Sequence, residues 1–199
     1  NAFYLNEISY SGTVTEHLIN SSFNSAGGCN NPWDLAEGAN NTLWVSWGCN
    51  TGNGVYVGKL SQSGQMLESF NVNSDSPTRI TAGSGGSVWL GGVGKIAKVS
   101  PTGAQTDFNL PANNQGIFSL VESSDGTLHF GSMLGGSGGE IPAPAYIGRI
   151  SPQGQVVTYP IGDNYPYDIA VDQKGNTWFS SINEGYAGRI NTSGTVFRY

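Results

Sequence analysis

The segment Ile147-Gly148-Arg149-Ile150-Ser151-Pro152-Gln153-Gly154 decides the fold, because the chain repeats it. The same form returns as Val57-Gly58-Lys59-Leu60 ending in Gly64, Ile96-Ala97-Lys98-Val99 ending in Gly103, and Ala187-Gly188-Arg189-Ile190 ending in Gly194. A fifth copy, Leu5-Asn6-Glu7-Ile8 with Gly12, opens the chain. Each copy is a run of alternating residues, a short polar link with Gly, and a second alternating run. Two period-2 runs joined by such a link form a β-hairpin. Internal repetition is therefore the first fact about this protein.

A second pattern fills the gaps between hairpins. Leu35, Ile80, Leu120 and Ile169 each precede by nine residues a large ring, namely Trp44, Trp89, His129 and Trp178. Turn residues lie in each interval, such as Asp125-Gly126 and Lys174-Gly175-Asn176. Joined to the hairpin that follows, each unit reads as four short antiparallel strands. Such units are blades of a β-propeller, whose sheets pack radially around an axis. A solenoid of stacked hairpins is the alternative, but its repeat is usually shorter and more uniform.

The expectation is one all-β domain over 1–199, a β-propeller of four-stranded antiparallel blades. Its four complete repeats span about 20–72, 73–110, 111–161 and 162–199, with one extra N-terminal hairpin at about 3–19. Long insertions are expected at Trp47 to Tyr56 and Gly131 to Ala145. The extra hairpin is expected to lack inner strands of its own. Either four blades close into a ring with the hairpin outside, or the hairpin is half of a fifth blade. Trp44, Trp89, His129 and Trp178 are expected to pack between blades. His17 is expected to be a solvated or edge residue.

Composition narrows the function. Of the 199 residues only 11% are charged, and the net charge is −6. That balance offers no basic field for phosphates, which argues against nucleic acid. Gly, Ser, Asn and Thr at this density are poor helix formers. No apolar stretch is long enough for a membrane-spanning helix. The 11% aromatic content argues against disorder. Cys29 and Cys49 are expected to form a disulfide, since two cysteines without clustered histidines cannot complete a zinc site. Asn20, Asn40 and Asn191 begin Asn-x-Ser/Thr sequons and are possible N-glycosylation sites. With few lysines and a hydroxyl- and amide-rich surface, these features favour an extracellular or cell-surface location. The carboxylates are scattered, no calcium loop or nucleophile elbow appears, and neither a metal nor a cofactor is expected.

The motifs Pro166-Tyr167-Asp168-Ile169, Asn176-Thr177-Trp178-Phe179 and Ile147 to Gly154 resemble the repeats of the virginiamycin B (streptogramin) lyase family. The likeness covers nearly the whole chain. It implies a propeller, and the family enzymes are larger, with seven blades. They open a cyclic peptide's ester by elimination, with a His base and Mg²⁺ offsetting the developing negative charge. The family's catalytic His positions, two before the repeat's Ile, hold Trp33, Thr78, Phe118 and Tyr167 here. Its acidic position after Leu-Trp-Phe holds Trp47, Gly92, Ser132 and Ser181. The resemblance therefore carries the scaffold without the chemistry, and function lives in sites rather than folds.

Residues just before each innermost strand should lie near the axial opening: Trp33 and Asp34, Thr78 and Arg79, Phe118 and Ser119, and Tyr167 and Asp168. Aromatic rings beside carboxylates and an Arg suit sugar faces and hydroxyls, but the expectation for Trp33, Phe118 and Tyr167 is first that they plug the centre by inter-blade packing. The sequence reading is an extracellular, non-enzymatic binding or assembly module. It would act as a subunit of a surface layer or filament, associating with other copies through the N-terminal hairpin. A glycan-binding, lectin-like propeller with a glycan or protein ligand is the alternative. A Mg²⁺-dependent C–O lyase is the weaker one.

Overall fold

A computed structural model describes residues 3–19, 31–48, 55–73, 79–111, 115–134, 145–162, 165–182 and 185–199. Cys29, Cys49, Asn20 and Thr78 lie outside the described residues, and with them the expected disulfide, one sequon and one axial position.

The hairpin is β1 (Phe3–Ile8) and β2 (Val14–Ile19). Four sheets follow. The first holds β3 (Asn31–Glu37), β4 (Thr42–Gly48), β5 (Val55–Ser61) and β6 (Met66–Val72). The second holds β7 (Arg79–Ala82), β8 (Val88–Gly91), β9 (Lys95–Val99) and β10 (Gln105–Asn109). The third holds β11 (Gln115–Glu122), β12 (Leu128–Leu134), β13 (Ala145–Ile150) and β14 (Val156–Gly162). The fourth holds β15 (Pro166–Val171), β16 (Thr177–Ser181), β17 (Tyr186–Ile190) and β18 (Val196–Arg198). Every sheet is an antiparallel meander in chain order, so the fold is a β-propeller of four-stranded blades.

The repeated turn closes each outer hairpin by local chemistry. Gly12, Gly64, Gly103, Gly154 and Gly194 all have φ between 77° and 88°, a region closed to most side chains. Three residues before each glycine, a side-chain oxygen of Ser9, Ser61, Ser100, Ser151 or Asn191 accepts the backbone N–H four residues on from itself. The turn is thus specified by its own residues.

Packing runs from sheet to sheet in order. Leu5 of the hairpin packs on Val45, Trp47 and Leu60 of the first sheet. Trp44, Val55, Val57 and Val72 meet Ile80, Val88, Leu90 and Val99 of the second. Trp89, Ile96 and Leu110 meet Ile117, Leu128, Phe130 and Ile150 of the third. Ala145, Ile147 and Ile161 meet Ile169, Phe179 and Ile190 of the fourth. The hairpin therefore packs on the first sheet as the sheets pack on one another.

Two consequences correct the sequence reading. Trp178 is half-buried, because no described residue of a further sheet covers it, while Trp44 and Trp89 are buried. Leu35 is 45% exposed, whereas its counterparts Ile80 and Ile169 are buried, because among the described residues no inner strand lies over it. His17 is an edge residue, as expected, on the outer strand of the two-stranded sheet. It lies partly buried over Gly64 of the first sheet and bonds Glu7 at 3.1 Å.

Candidate functional site

The innermost strands β3, β7, β11 and β15 pack against one another in sequence around the axis. Three of them carry a break in register at the expected positions. The breaks lie between Pro32 and Asp34, Ile117 and Ser119, and Pro166 and Ile169. An extra residue in one strand re-aims its side chain away from the regular pleat. Trp33, Phe118 and the pair Tyr167-Asp168 occupy these breaks. Trp33 is 42% exposed and Tyr167 56%, so neither serves as a buried central plug.

The polar residues at these positions stitch neighbouring blades. Asp34 Oδ2 accepts the N–H of Ile80 at 2.9 Å, and Oδ1 accepts that of Leu35 at 3.0 Å. Arg79 Nε donates to the carbonyl of Phe118 at 2.9 Å. Ser119 Oγ donates to Asp168 Oδ1 at 2.8 Å and accepts from Ile169 N at 3.2 Å. The sequence places Asp34 and Asp168 as ligand-facing acids, and the structure gives both an inter-blade duty as well. Ser119, which the sequence places beside Phe118 in the axial set, is the buried hydroxyl among them.

Removing one of these acceptors should be costly. Asp34→Ala leaves the Ile80 N–H without its partner and should lower unfolding free energy by about 1–3 kcal/mol. Asp34→Asn keeps an acceptor oxygen and should cost less. Urea unfolding of the two variants side by side measures the difference.

Arg79, Phe118, Ser119, Tyr167 and Asp168, with Ile80 and Leu120, line one cleft of about 240 Å³. Trp33 and Asp34 are not among its lining residues, so the structure divides the expected axial set. The volume is below the ~300 Å³ at which small-molecule sites usually begin. Its chemistry is one exposed phenol ring, one further ring, a guanidinium, a hydroxyl and a carboxylate. These can stack on a ring face and exchange hydrogen bonds with hydroxyls.

The Mg²⁺ that the lyase resemblance implies does not fit this cleft. Asp168 is its single carboxylate, Oδ1 already accepts from Ser119 and from Ile169 N, and Arg79 sets a positive charge beside it. Among the described residues no three His, Cys, Asp or Glu side chains cluster for a metal.

His129 lies elsewhere, buried between the third and fourth sheets. Its Nδ1 is 2.7 Å from Thr177 Oγ1, and its Nε2 is 3.3 Å from Ser123 Oγ. Arg149 donates to the same Thr177 oxygen from Nη2 at 3.1 Å. With that oxygen accepting from Arg149, its proton is directed to Nδ1, and the hydrogen-bond network assigns the ring proton to Nε2. Burial, and secondarily the charge of Arg149, lowers the His129 pKa to about 4. The ring is neutral at pH 7 and joins two blades. Of the remaining sequons, Asn40 sits in an exposed turn at φ 57°, and Asn191 Oδ1 caps the last turn.

No protein-family model and no curated protein matches the sequence. Solved structures do match. A streptogramin B lyase structure superposes with a TM-score of 0.74 at 24% identity, covering 98% of this chain and 61% of that one. A catalytically inactive virginiamycin B lyase from Staphylococcus aureus with quinupristin gives 0.76 at 20%, covering 98% and 62%. Hydrazine synthase of Kuenenia stuttgartiensis gives 0.71 at 17%, covering 98% and 59%. The chain spans less than two thirds of the length of these proteins. Their names differ in chemistry while their shapes agree, so the likeness carries the fold alone. This chain has the β-propeller fold of the streptogramin lyases.

Proposed function

We propose that the protein is a non-catalytic, extracellular binding and assembly module whose working surfaces are its uncovered blade faces. The observation that carries this reading is Trp178. The same position is buried by the following sheet at Trp44 and Trp89, and at Trp178 it is half-bare. An exposed apolar face built for sheet packing is a contact surface. The absence of enzymatic activity is supported by Trp33, Phe118 and Tyr167, which stand where the lyase resemblance calls for His and cannot serve as bases near neutral pH. Scarcity of Lys and a hydroxyl-rich surface support an extracellular site of action. The test is light scattering on the purified chain over a concentration series. Mass rising with concentration supports the reading, and a constant monomer mass overturns it.

A second reading is binding of a glycan at the axial cleft, favoured by the exposure of Tyr167 beside Arg79 and Asp168. If it holds, sugars quench or shift the intrinsic fluorescence, and Tyr167→Ala weakens the response by about tenfold or more. An unchanged titration curve in that variant would sink it.

A further inference from the structure

The interface between the second and third sheets holds a buried carboxylate, and the interface between the first and second repeats its donors without it. Glu122 ends the innermost strand of the third sheet, and its side chain is 7% exposed. Its Oε1 accepts the backbone N–H of Ser84 at 2.7 Å, and its Oε2 accepts the indole N–H of Trp89. Lys98 Nζ lies 3.6 Å from the second oxygen. Three donors of the second sheet thus surround one anionic group supplied by the next sheet. A carboxylate taken out of water needs such charge-assisted bonds.

The first sheet rebuilds each donor. The turn at 38–42 has the form of the turn at 83–87. The N–H of Gly38 donates to the carbonyl of Thr42 at 2.8 Å, as that of Gly83 does to Ser87 at 2.9 Å. The hydroxyl of Thr42 donates to the carbonyl of Ala39, as that of Ser87 does to Ser84. Asn40 and Asn41 take positive φ of 57° and 58°, matching Gly85 and Gly86 at 67° and 76°. The N–H of Ala39 therefore takes the place of that of Ser84. Trp44 matches Trp89, with Phe70 tilted at 43° to the one ring and Phe108 at 44° to the other. Lys59 Nζ stands 5.0 Å over Trp44, and Lys98 Nζ 4.5 Å over Trp89.

The acceptor is what differs. Two residues after Ile80 the second sheet has Ala82, where the third sheet has Glu122 two residues after Leu120. A methyl group accepts no hydrogen bond, and among the described residues the N–H groups of Ala39 and of the Trp44 indole meet no acceptor. That indole belongs to a fully buried ring, where an unmet donor is costly. In place of a carboxylate there is a cavity of about 380 Å³, with Ala39, Trp44, Lys59, Glu68, Gly85 and Pro101 among its walls. That volume falls in the range of small-molecule sites. Gly85 leaves space on the second sheet's side, since a Cβ there would meet nothing within 4 Å.

The geometry points to this cavity as a binding site for a carboxylate on a short aliphatic arm, which takes the place that Glu122 fills one interface on. The ligand's oxygens accept from Trp44 Nε1 and the Ala39 N–H, and Lys59 supplies the positive charge. Lys59 otherwise pairs with Glu68 at 2.7 Å and donates to the Pro101 carbonyl at 2.8 Å. The Glu68 side chain is 50% exposed, so it can turn into water as the ligand arrives. Its competition for Lys59 weakens binding. The site lies between two complete sheets and is independent of the assembly reading, which its failure would leave untouched.

Propionate reproduces the Glu side chain and is the probe. In N–H NMR spectra of the unaltered chain, it should move the indole signal of Trp44 and the amide signal of Ala39 together and to saturation. For so small a ligand, saturation is expected at concentrations on the order of millimolar. The indole signal of Trp89, already bonded to Glu122, should stay in place. Glu68→Gln removes the competitor and should tighten binding by about fivefold. Ala82→Glu supplies the missing carboxylate from within the chain, so it should abolish the propionate response and raise the urea midpoint. Should Ala82→Glu fail to fold, the titrations of the unaltered chain and of Glu68→Gln decide alone. Propionamide has the same shape without the charge and should bind about tenfold more weakly or worse. The capped peptide acetyl-Gly-Glu-Gly-amide identifies the source of the carboxylate. Tighter binding of the peptide than of propionate assigns an acidic side chain of a protein partner, and the reverse order assigns a free acid. A Trp44 signal that propionate does not move overturns the proposal. So do equal curves for propionate and propionamide, or an undiminished propionate response in folded Ala82→Glu.

Discussion

Trp44→Ala should lower the unfolding free energy by about 3–5 kcal/mol, the usual cost of truncating a large buried ring. Trp44 is fully buried in the cluster joining the first and second sheets, against Val57, Val88 and Leu90. Phe70 tilts over it at 6.4 Å between centroids, and Lys59 Nζ sits 5.0 Å above its ring. That ammonium is held by Glu68 at 2.7 Å and the Pro101 carbonyl at 2.8 Å, so its position survives the loss of the ring and the space beneath it does not refill. A domain's whole stability is about 5–15 kcal/mol, and the loss would leave the fold marginal. Trp178→Ala supplies the internal control, because Trp178 is half-buried and has no further sheet over it. Urea titrations followed by circular dichroism should give Trp44→Ala much the lower midpoint. Equal losses at the two positions would show that packing between blades is not what holds Trp44.

Stability should also fall as pH drops from about 6.5 toward 4, through His129. Its folded pKa of about 4 lies below the ordinary value of 6.5, chiefly because burial disfavours the charged ring. Between those values the unfolded chain binds a proton that the folded chain refuses, so unfolding becomes easier as pH falls. The contribution is complete above pH 6.5 and is lost on the way down to pH 4. At ~1.4 kcal/mol per pKa unit the loss amounts to about 3 kcal/mol at most. Asp125 and Asp172 have pKa values held below the carboxylate norm by Ser123 and by Asn176 and Trp178 respectively. Their contributions are present above the unfolded carboxylate pKa and fade only below it, which separates them from the His129 window. His129→Phe should flatten the curve between pH 4.5 and 6.5, at about 1 kcal/mol cost near pH 7 from the Thr177 hydroxyl left without its acceptor. Thermal melts across that pH range in both proteins decide the matter. A slope that persists in His129→Phe would assign the effect to another group.

The axial face was only partly legible from sequence. The spacing before Leu35, Ile80, Leu120 and Ile169 located Trp33, Phe118 and Tyr167-Asp168, and the structure puts a register break at each. It did not disclose that Asp34 and Asp168 spend hydrogen-bonding capacity on Ile80 and Ser119. Those bonds cross between blades, about 46 residues apart for Asp34 and Ile80. No local pattern encodes them. His129 was read correctly as a buried ring in the Trp slot, but its partners Thr177 and Arg149 lie on later strands and had no signal at that position.

What the sequence by itself determined is everything settled within one repeat. Alternation set the strands, positive-φ glycines with Ser or Asn oxygens set the turns, and adjacent strands then paired in chain order. These interactions span few residues and carry their own specification. Only the tertiary structure decided which faces are covered. Trp178 looks like Trp44, Leu35 looks like Ile80, and Ile8 looks like Leu60, yet the first of each pair is bared. Burial of a blade face depends on whether another blade stands beside it, and that neighbour is a property of the assembly, not of the residue or its repeat.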